Sequence, residues 1–250
     1  MELLSWPIFA ICVPAVIFAG VSKGGFGSGA AFAASSILAV ALDPGSALGI
    51  MLPLLMLIDV ASLPPYWRKW SWPEARLLIY AGLPGGVLGA LFYGFTSPDA
   101  IRLVIGFVCL SFIAWQWSQK AGLIRIEREM GTKTGIAAGL GAGFTSFVSH
   151  AGGPVAAVYL LGRGLSKTAF QATTVLVFWA LNLSKVGIYG AMGIFSRDGL
   201  ILAGLLIPFA LLGTWLGVKA HRLVPERIFF GITYVLLAIT GSKLIWDALT

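Results

Sequence analysis

The sequence predicts an all-α polytopic membrane protein of two inverted repeats, each a broken or re-entrant helical hairpin followed by three transmembrane helices. Three observations predict it. Hydrophobic residues make up 58% of the 250 residues and charged residues 11%, with a mean hydropathy of +0.91; a soluble domain carries about 25% charged residues. Apolar segments run at 4–22, 24–42, 45–63, 75–95 and 100–118, then at 132–149, 151–162, 169–191, 198–218 and 227–246. The second set of five also repeats features of the first at an offset of about 123 residues, which marks a duplication.

The organisation is therefore 1–118 as the first transmembrane repeat, 119–134 as a charged cytoplasmic linker and 135–250 as the second, inverted repeat. At the offset of 123, Gly20 falls on Gly143, Ala33 and Ala34 fall on Ala156 and Ala157, and Asp59 falls on Asn182. Pro84 and Pro208 align at 124, as do Gly89 and Gly213, and Gly106 pairs with Gly231 at 125. The MELLSW start carries Glu2 rather than the basic residue of a signal peptide, so the first apolar run is expected to be a retained helix. Cys12 and Cys109 stand alone inside apolar runs and read as small hydrophobes. No metal cluster, cofactor motif or P-loop is present, which leaves no nucleotide-driven motor in the sequence.

In each half the first segment pair is the unusual one. Gly20 to Gly29 holds five glycines in ten residues, and GFTSFVSHAGGP at 143–154 is its counterpart. Glycine costs roughly 1 kcal/mol relative to alanine in a helix interior, so both stretches predict broken helices. Irregular backbone at membrane depth survives only against protein or a water-filled cavity. Glycines at four-residue spacing elsewhere, such as Gly135, Gly139 and Gly143, read as close-packing positions.

Charge sets the expected topology. The loops at 64–76, 119–134, 162–168 and 218–227 hold twelve of the 17 Lys and Arg residues, which places them in the cytoplasm. Two hairpin segments that enter and leave on one side, followed by three crossings, invert the second repeat and put both termini outside. The net charge of +7 thus reports membrane orientation, and no nucleic-acid partner is expected. Trp6, Trp67, Trp70, Trp72 and Trp246 flank segments as interfacial anchors.

Ionisable residues inside the membrane are costly and mark candidate sites. Lys23, beside Gly24 and Gly25, is read as an anion-binding ammonium next to N–H groups bared at a half-helix start; its rival reading is a snorkelling lysine. His150, between Ser149 and Gly152, suits a proton carrier or a second cation, or else a neutral cap on freed backbone. Asp59 and Lys185 sit on repeat-equivalent helices, and an Asp59–Lys185 ion pair would offset burial of each. Asn182 and Lys185 share a helix face. Ser28, Ser146 and Ser149 offer hydroxyl donors, or simply bond back to their own helices. His150, Asp59 and Lys185 are the proton-coupling candidates. Tyr189, Trp179 and Gln171 are further cavity candidates. Lys23→Ala is expected to abolish anion binding without loss of folded protein.

The glycine-rich first hairpin, the second hairpin GAGFTSFVSHAGGP and two apolar halves within about 250 residues resemble the sulfite exporter TauE/SafE family over the whole chain. The resemblance implies a permease or exporter for sulfite, thiosulfate or C2 organosulfonates such as sulfoacetate, isethionate and taurine, coupled to an ion gradient. It also implies an integral protein of a bacterial inner membrane, in contact with lipid and with no cofactor; a homodimer is left open. Inverted repeats with broken helices suit alternating access around a midplane site. A passive anion channel and an intramembrane enzyme on a lipid-linked substrate are the rival readings. With Asp59 the one acid clearly buried in a span, no catalytic constellation presents itself, so the chain is not expected to be an enzyme.

Overall fold

The computed structural model describes residues 3–26, 30–123, 130–223 and 226–250, with only the helical backbone at 221–223 and 226–230. These residues form ten α-helices, and no strand occurs among them: α1 Trp6–Val21, α2 Phe32–Ala41, α3 Pro44–Tyr66, α4 Trp72–Phe95, α5 Pro98–Lys120, α6 Thr132–Ser149, α7 Gly152–Leu161, α8 Lys167–Ala191, α9 Arg197–Leu223 and α10 Glu226–Leu249. Seven are long and apolar enough to cross a membrane; α2, α6 and α7 are not among them. Local sequence sets the starts. Asp43, Ser97 and Ser166 cap α3, α5 and α8 by accepting from the N–H groups of Ser46, Ala100 and Ala169. Pro44 and Pro98 occupy first-turn positions whose N–H would be unpaired in any helix.

Each half opens on one long and one short arm. α2 and α7 have 10 residues each, about 15 Å at 1.5 Å per residue, half of a ~30 Å hydrocarbon core. The second pair was expected at 132–149 and 151–162. There α6 takes 18 residues and α7 10. In the first pair the position of the interruption is refined. The helix continues through Gly24 and Gly25, widening into a π-helical turn over Ser22–Phe26 that holds them and Lys23, and the connection to α2 falls beyond Phe26.

Those glycines serve packing. A Cβ on Gly24 would meet the Thr214 carbonyl oxygen at 2.7 Å, and one on Gly25 would run into the Gly217 carbonyl. α1 and α9 touch backbone to backbone, through Gly20, Gly213 and Gly217. α4 and α6 do the same through Gly82, Gly85, Gly139 and Gly143. Without a hydrophobic drive between lipid-bathed helices, such close approach is what holds them together. Gly20→Ala, whose Cβ would lie 2.6 Å from the Thr214 nitrogen, is expected to cost about 1–3 kcal/mol. Gly86→Ala, with nothing within 4 Å, is expected to be neutral or stabilising by up to about 1 kcal/mol. Melting both variants in one detergent checks the contrast.

The running directions of neighbours carry information. α1 and α9 are parallel, with Ile17 against Gly213 and Val21 against Gly217; α4 and α6 are parallel, with Ala81 against Gly139 and Gly89 against Phe147. α3 and α8 are antiparallel: Leu52 lies in one cluster with Tyr189, and Tyr66 in another with Ala172 and Val175. α5 and α10 are antiparallel too, joining Gly106 to Ile245 and Phe112 to Tyr234. The loops after α3, before α6 and after α7 meet at one end, where Ser71 N–H donates to Thr173 and Arg163 donates to the Met130 carbonyl. The start of α1 and the end of α10 lie at the other end.

Candidate functional site

The site is built from matching stripes on α3 and α8. On α3 the residues Leu48, Leu55, Asp59, Ser62 and Tyr66 recur at helical spacing; on α8 the stripe is Gln171, Phe178, Asn182, Lys185 and Tyr189. Each member of the second stripe lies 123 residues after its counterpart. The two helices run antiparallel, so the stripes cross near their middles, where the Asn182 side-chain amide donates to Asp59 Oδ2 at 2.8 Å. Two tyrosines fasten the stripes to the hairpins in the same way. Tyr66 donates to the Gly24 carbonyl at 2.9 Å, and Tyr189 donates to the Phe147 carbonyl at 2.6 Å. Donors and acceptors are again 123 residues apart.

The charged groups are not arranged symmetrically. Lys23 Nζ lies 2.6 Å from Asp59 Oδ1, and these side chains are 3% and 0% exposed. The Lys23 carbonyl accepts from the Gln171 amide at 2.5 Å. Lys185 turns elsewhere: its ammonium donates to the Ser146 carbonyl at 2.9 Å and to Ser146 Oγ at 3.1 Å, and lies 3.0 Å from His150 Nδ1. All three of its N–H groups are thereby used. An ammonium has only donors, so Nδ1 is the acceptor and Nε2 of a neutral imidazole carries the proton, 3.2 Å from the Leu48 carbonyl. His150 reaches this position through a left-handed backbone, φ 55°, at the end of α6, which histidine adopts more readily than most residues.

The expected Asp59–Lys185 pair is therefore replaced by Lys23–Asp59, because the π turn brings Lys23 onto the α3 stripe first. The expected bare N–H groups at Gly24 and Gly25 are replaced by a continuous helix packed on α9. Ser149 donates to the Thr145 carbonyl, the bland alternative for that hydroxyl. Gly152 is a close-packing position, where a Cβ would meet the Ala142 oxygen at 2.5 Å. Ser28 lies outside the described residues. His150 stands at the hairpin turn as expected.

Lys23, Ala31 and Leu55 from the first half and Ser146, His150, Gly153, Phe178 and Asn182 from the second enclose a cavity of about 10 Å³, room for about one water. A sulfur oxyanion does not fit this conformation. Lys185 stands behind the wall formed by Ser146 and His150. Because Ser146 Oγ accepts from Lys185, its own O–H remains to donate. Gly153 belongs to the first turn of α7, whose N–H groups have no partner within the helix. Phe178 rather than Trp179 faces the cavity, and Tyr66 was missed; an aromatic at helical spacing from Asp59 was the available signal. Among the described residues no group of three or more metal-ligating side chains occurs.

Neither curated protein sequences nor solved structures give a match to this chain. The family model described as sulfite exporter TauE/SafE matches residues 12–244. With a helical bundle of apolar spans and a polar enclosure buried between its halves, the chain belongs to the sulfite exporter TauE/SafE family of membrane transporters.

Proposed function

We propose that the protein is a secondary transporter that carries a small sulfur-containing anion, sulfite or a C2 sulfonate, by alternating access between two inverted repeats. The observation that carries the reading is the burial of two lysines, Lys23 and Lys185, with a single carboxylate, Asp59, around the enclosure. With both lysines as ammoniums beside a neutral His150, they outnumber the carboxylate two to one. One positive charge is left unbalanced at membrane depth, where an unpaired ion is costly. A monoanion is its natural counter-ion.

The inverted repeat has independent support. A two-fold axis in the membrane plane makes self-paired elements antiparallel, as α3 with α8 and α5 with α10 are, whereas an axis along the normal would make them parallel. It also exchanges α1–α9 with α6–α4, and both of those pairs are parallel. The enclosure lies between the halves, so rocking one against the other would open it to either side. The end that gathers the basic loops 64–76 and 162–168 faces the cytoplasm in this reading.

Substrate oxygens would be held by Lys23, the Ser146 hydroxyl and the α7 N-terminus at Gly153, with Asn182 alongside. Lys185 supplies the excess charge from behind. As the anion takes over Lys23, Asp59 loses its counter-ion, and a buried unpaired carboxylate neutralises rather than persists as an ion. With a dianion such as sulfite, Asp59 would then bind one proton per anion, which keeps the enclosure neutral and couples the two.

Proteoliposomes loaded with sulfite and a pH-reporting dye test this. The expected result is saturable sulfite movement with stimulation by sulfite on the far side, accompanied by proton movement that disappears in Asp59→Asn. Flux that rises linearly without counterflow would identify a channel and overturn the transporter mechanism. Saturable sulfite flux with an unchanged proton signal in Asp59→Asn would overturn the coupling step alone.

A further inference from the structure

Away from the charged enclosure, a much larger cavity of about 770 Å³ opens between the N-terminal halves of α4 and α6. Its wall is apolar: Leu77, Tyr80 and Pro84 from α4, and Ile136 and Leu140 from α6. Tyr80 is 72% exposed and Ile136 43% exposed, so the groove faces outward rather than into the core. One end is different in character. Arg76, Glu74 and Arg163 line it, and it is the end at which the basic loops gather.

The polar groups at that end divide into two sets. Glu74 is buried and doubly satisfied, accepting from the Tyr159 hydroxyl at 2.7 Å and from Arg163 Nε at 3.0 Å. This bond also holds the Arg163 guanidinium above its usual value, so it stays charged. Arg163 Nη1 donates to the Met130 carbonyl, which leaves other N–H groups of its fork unused. Arg76 is exposed, and among the described residues no carboxylate pairs with it. The mouth therefore keeps a net positive charge and spare guanidinium donors, which favour the bidentate geometry of a phosphate.

Length selects the occupant. From Pro73 to Pro84 the groove follows α4 for eleven residues, roughly 17 Å at 1.5 Å per residue. One leaflet of a ~30 Å hydrocarbon core is about 15 Å deep. A guanidinium at headgroup level, with an apolar channel one leaflet long below it, matches a single phospholipid.

We propose that this groove is a binding site for an anionic phospholipid, with its phosphate on Arg76 and Arg163 and an acyl chain laid between α4 and α6 along Leu77, Tyr80, Ile136 and Leu140. The bound lipid would bridge α4 to α6, the helices that meet at Gly82 and Gly143 and support the second hairpin.

Native mass spectrometry of the purified protein tests the site. Phosphatidylglycerol and phosphatidylcholine with the same acyl chains are added in turn, and glycerol 3-phosphate serves as the soluble headgroup. Wild type is expected to retain phosphatidylglycerol at least fivefold better than phosphatidylcholine. Arg76→Gln is expected to lose about fivefold of the phosphatidylglycerol retention, the effect of one cation near a lipid surface, and to leave phosphatidylcholine unchanged. Ile136→Trp, which fills the groove, should reduce both. Should either variant melt below wild type, Arg76→Lys, which keeps the charge, must preserve the phosphatidylglycerol preference. Equal retention of the two lipids, or no change in Arg76→Gln, overturns the proposal. So does complete displacement of phosphatidylglycerol by an equal concentration of glycerol 3-phosphate, which would mark a site for a free phosphate ester. A protein dimer that Ile136→Trp abolishes would assign the groove to a second copy of the chain.

Discussion

Lys185→Met is expected to abolish anion-dependent stabilisation while leaving a folded protein that melts no lower than wild type when no substrate is added. Lys185 is 2% exposed and meets a carbonyl, a hydroxyl and a neutral imidazole, with no carboxylate in its own contact shell. Without substrate it is an incompletely compensated charge in a medium that penalises one. Methionine has a similar length and no charge, so the loss of three hydrogen bonds is set against relief of that burial. Wild type saturated at a hundred times its Kd gains about 2.7 kcal/mol from a ligand that binds only the native state. The variant should gain almost none. Melting curves with and without sulfite, taurine and a carboxylate analogue read both quantities. A full sulfite-induced shift in Lys185→Met would remove Lys185 from the site.

The second large effect concerns the pair beside it. Asp59→Leu alone strands the Lys23 ammonium, which is 3% exposed, and removes the acceptor of Asn182. Breaking a buried pair from one side costs about 3–5 kcal/mol, whereas replacing both partners with apolar residues is often neutral or better. The double variant Lys23→Met with Asp59→Leu is accordingly expected to recover most of the stability that Asp59→Leu loses, while anion binding stays absent. A double-mutant cycle on melting measures the coupling directly. Losses that simply add would mean that Lys23 and Asp59 do not depend on one another. The pairing also changes the outcome for Lys23→Ala. That variant strands Asp59, so its loss of anion binding comes with loss of stability unless the carboxylate takes up a proton.

These two residues show where reading the chain from its sequence stops. Membrane residence, ten helices and the two interrupted hairpins follow from composition, apolar run length and glycine density. Those are local properties, and the chain expresses them directly. The offset of 123 residues was also legible, and it recurs in the contacts between Asp59 and Asn182 and in the bonds of Tyr66 and Tyr189. The role of Gly24 and Gly25 was not legible. Their glycine density reads as a break, but α9 approaches so closely that only glycine leaves room for its carbonyls, and no local pattern reports a helix about 190 residues away.

By itself, then, the sequence determined the solvent, the helices, the 123-residue offset between polar positions and the set of polar residues that must lie at membrane depth. Only the tertiary structure decided how those residues pair. Asp59 had two buried lysines within its reach by sequence, Lys23 and Lys185. The widened turn at Ser22–Phe26 delivers Lys23 to one carboxylate oxygen, while the end of α6 at Ser146 and His150 takes Lys185 away. Helical periodicity fixes which face a side chain is on, but an ion pair forms over a few ångströms. That distance is set by how four separate helix segments pack together.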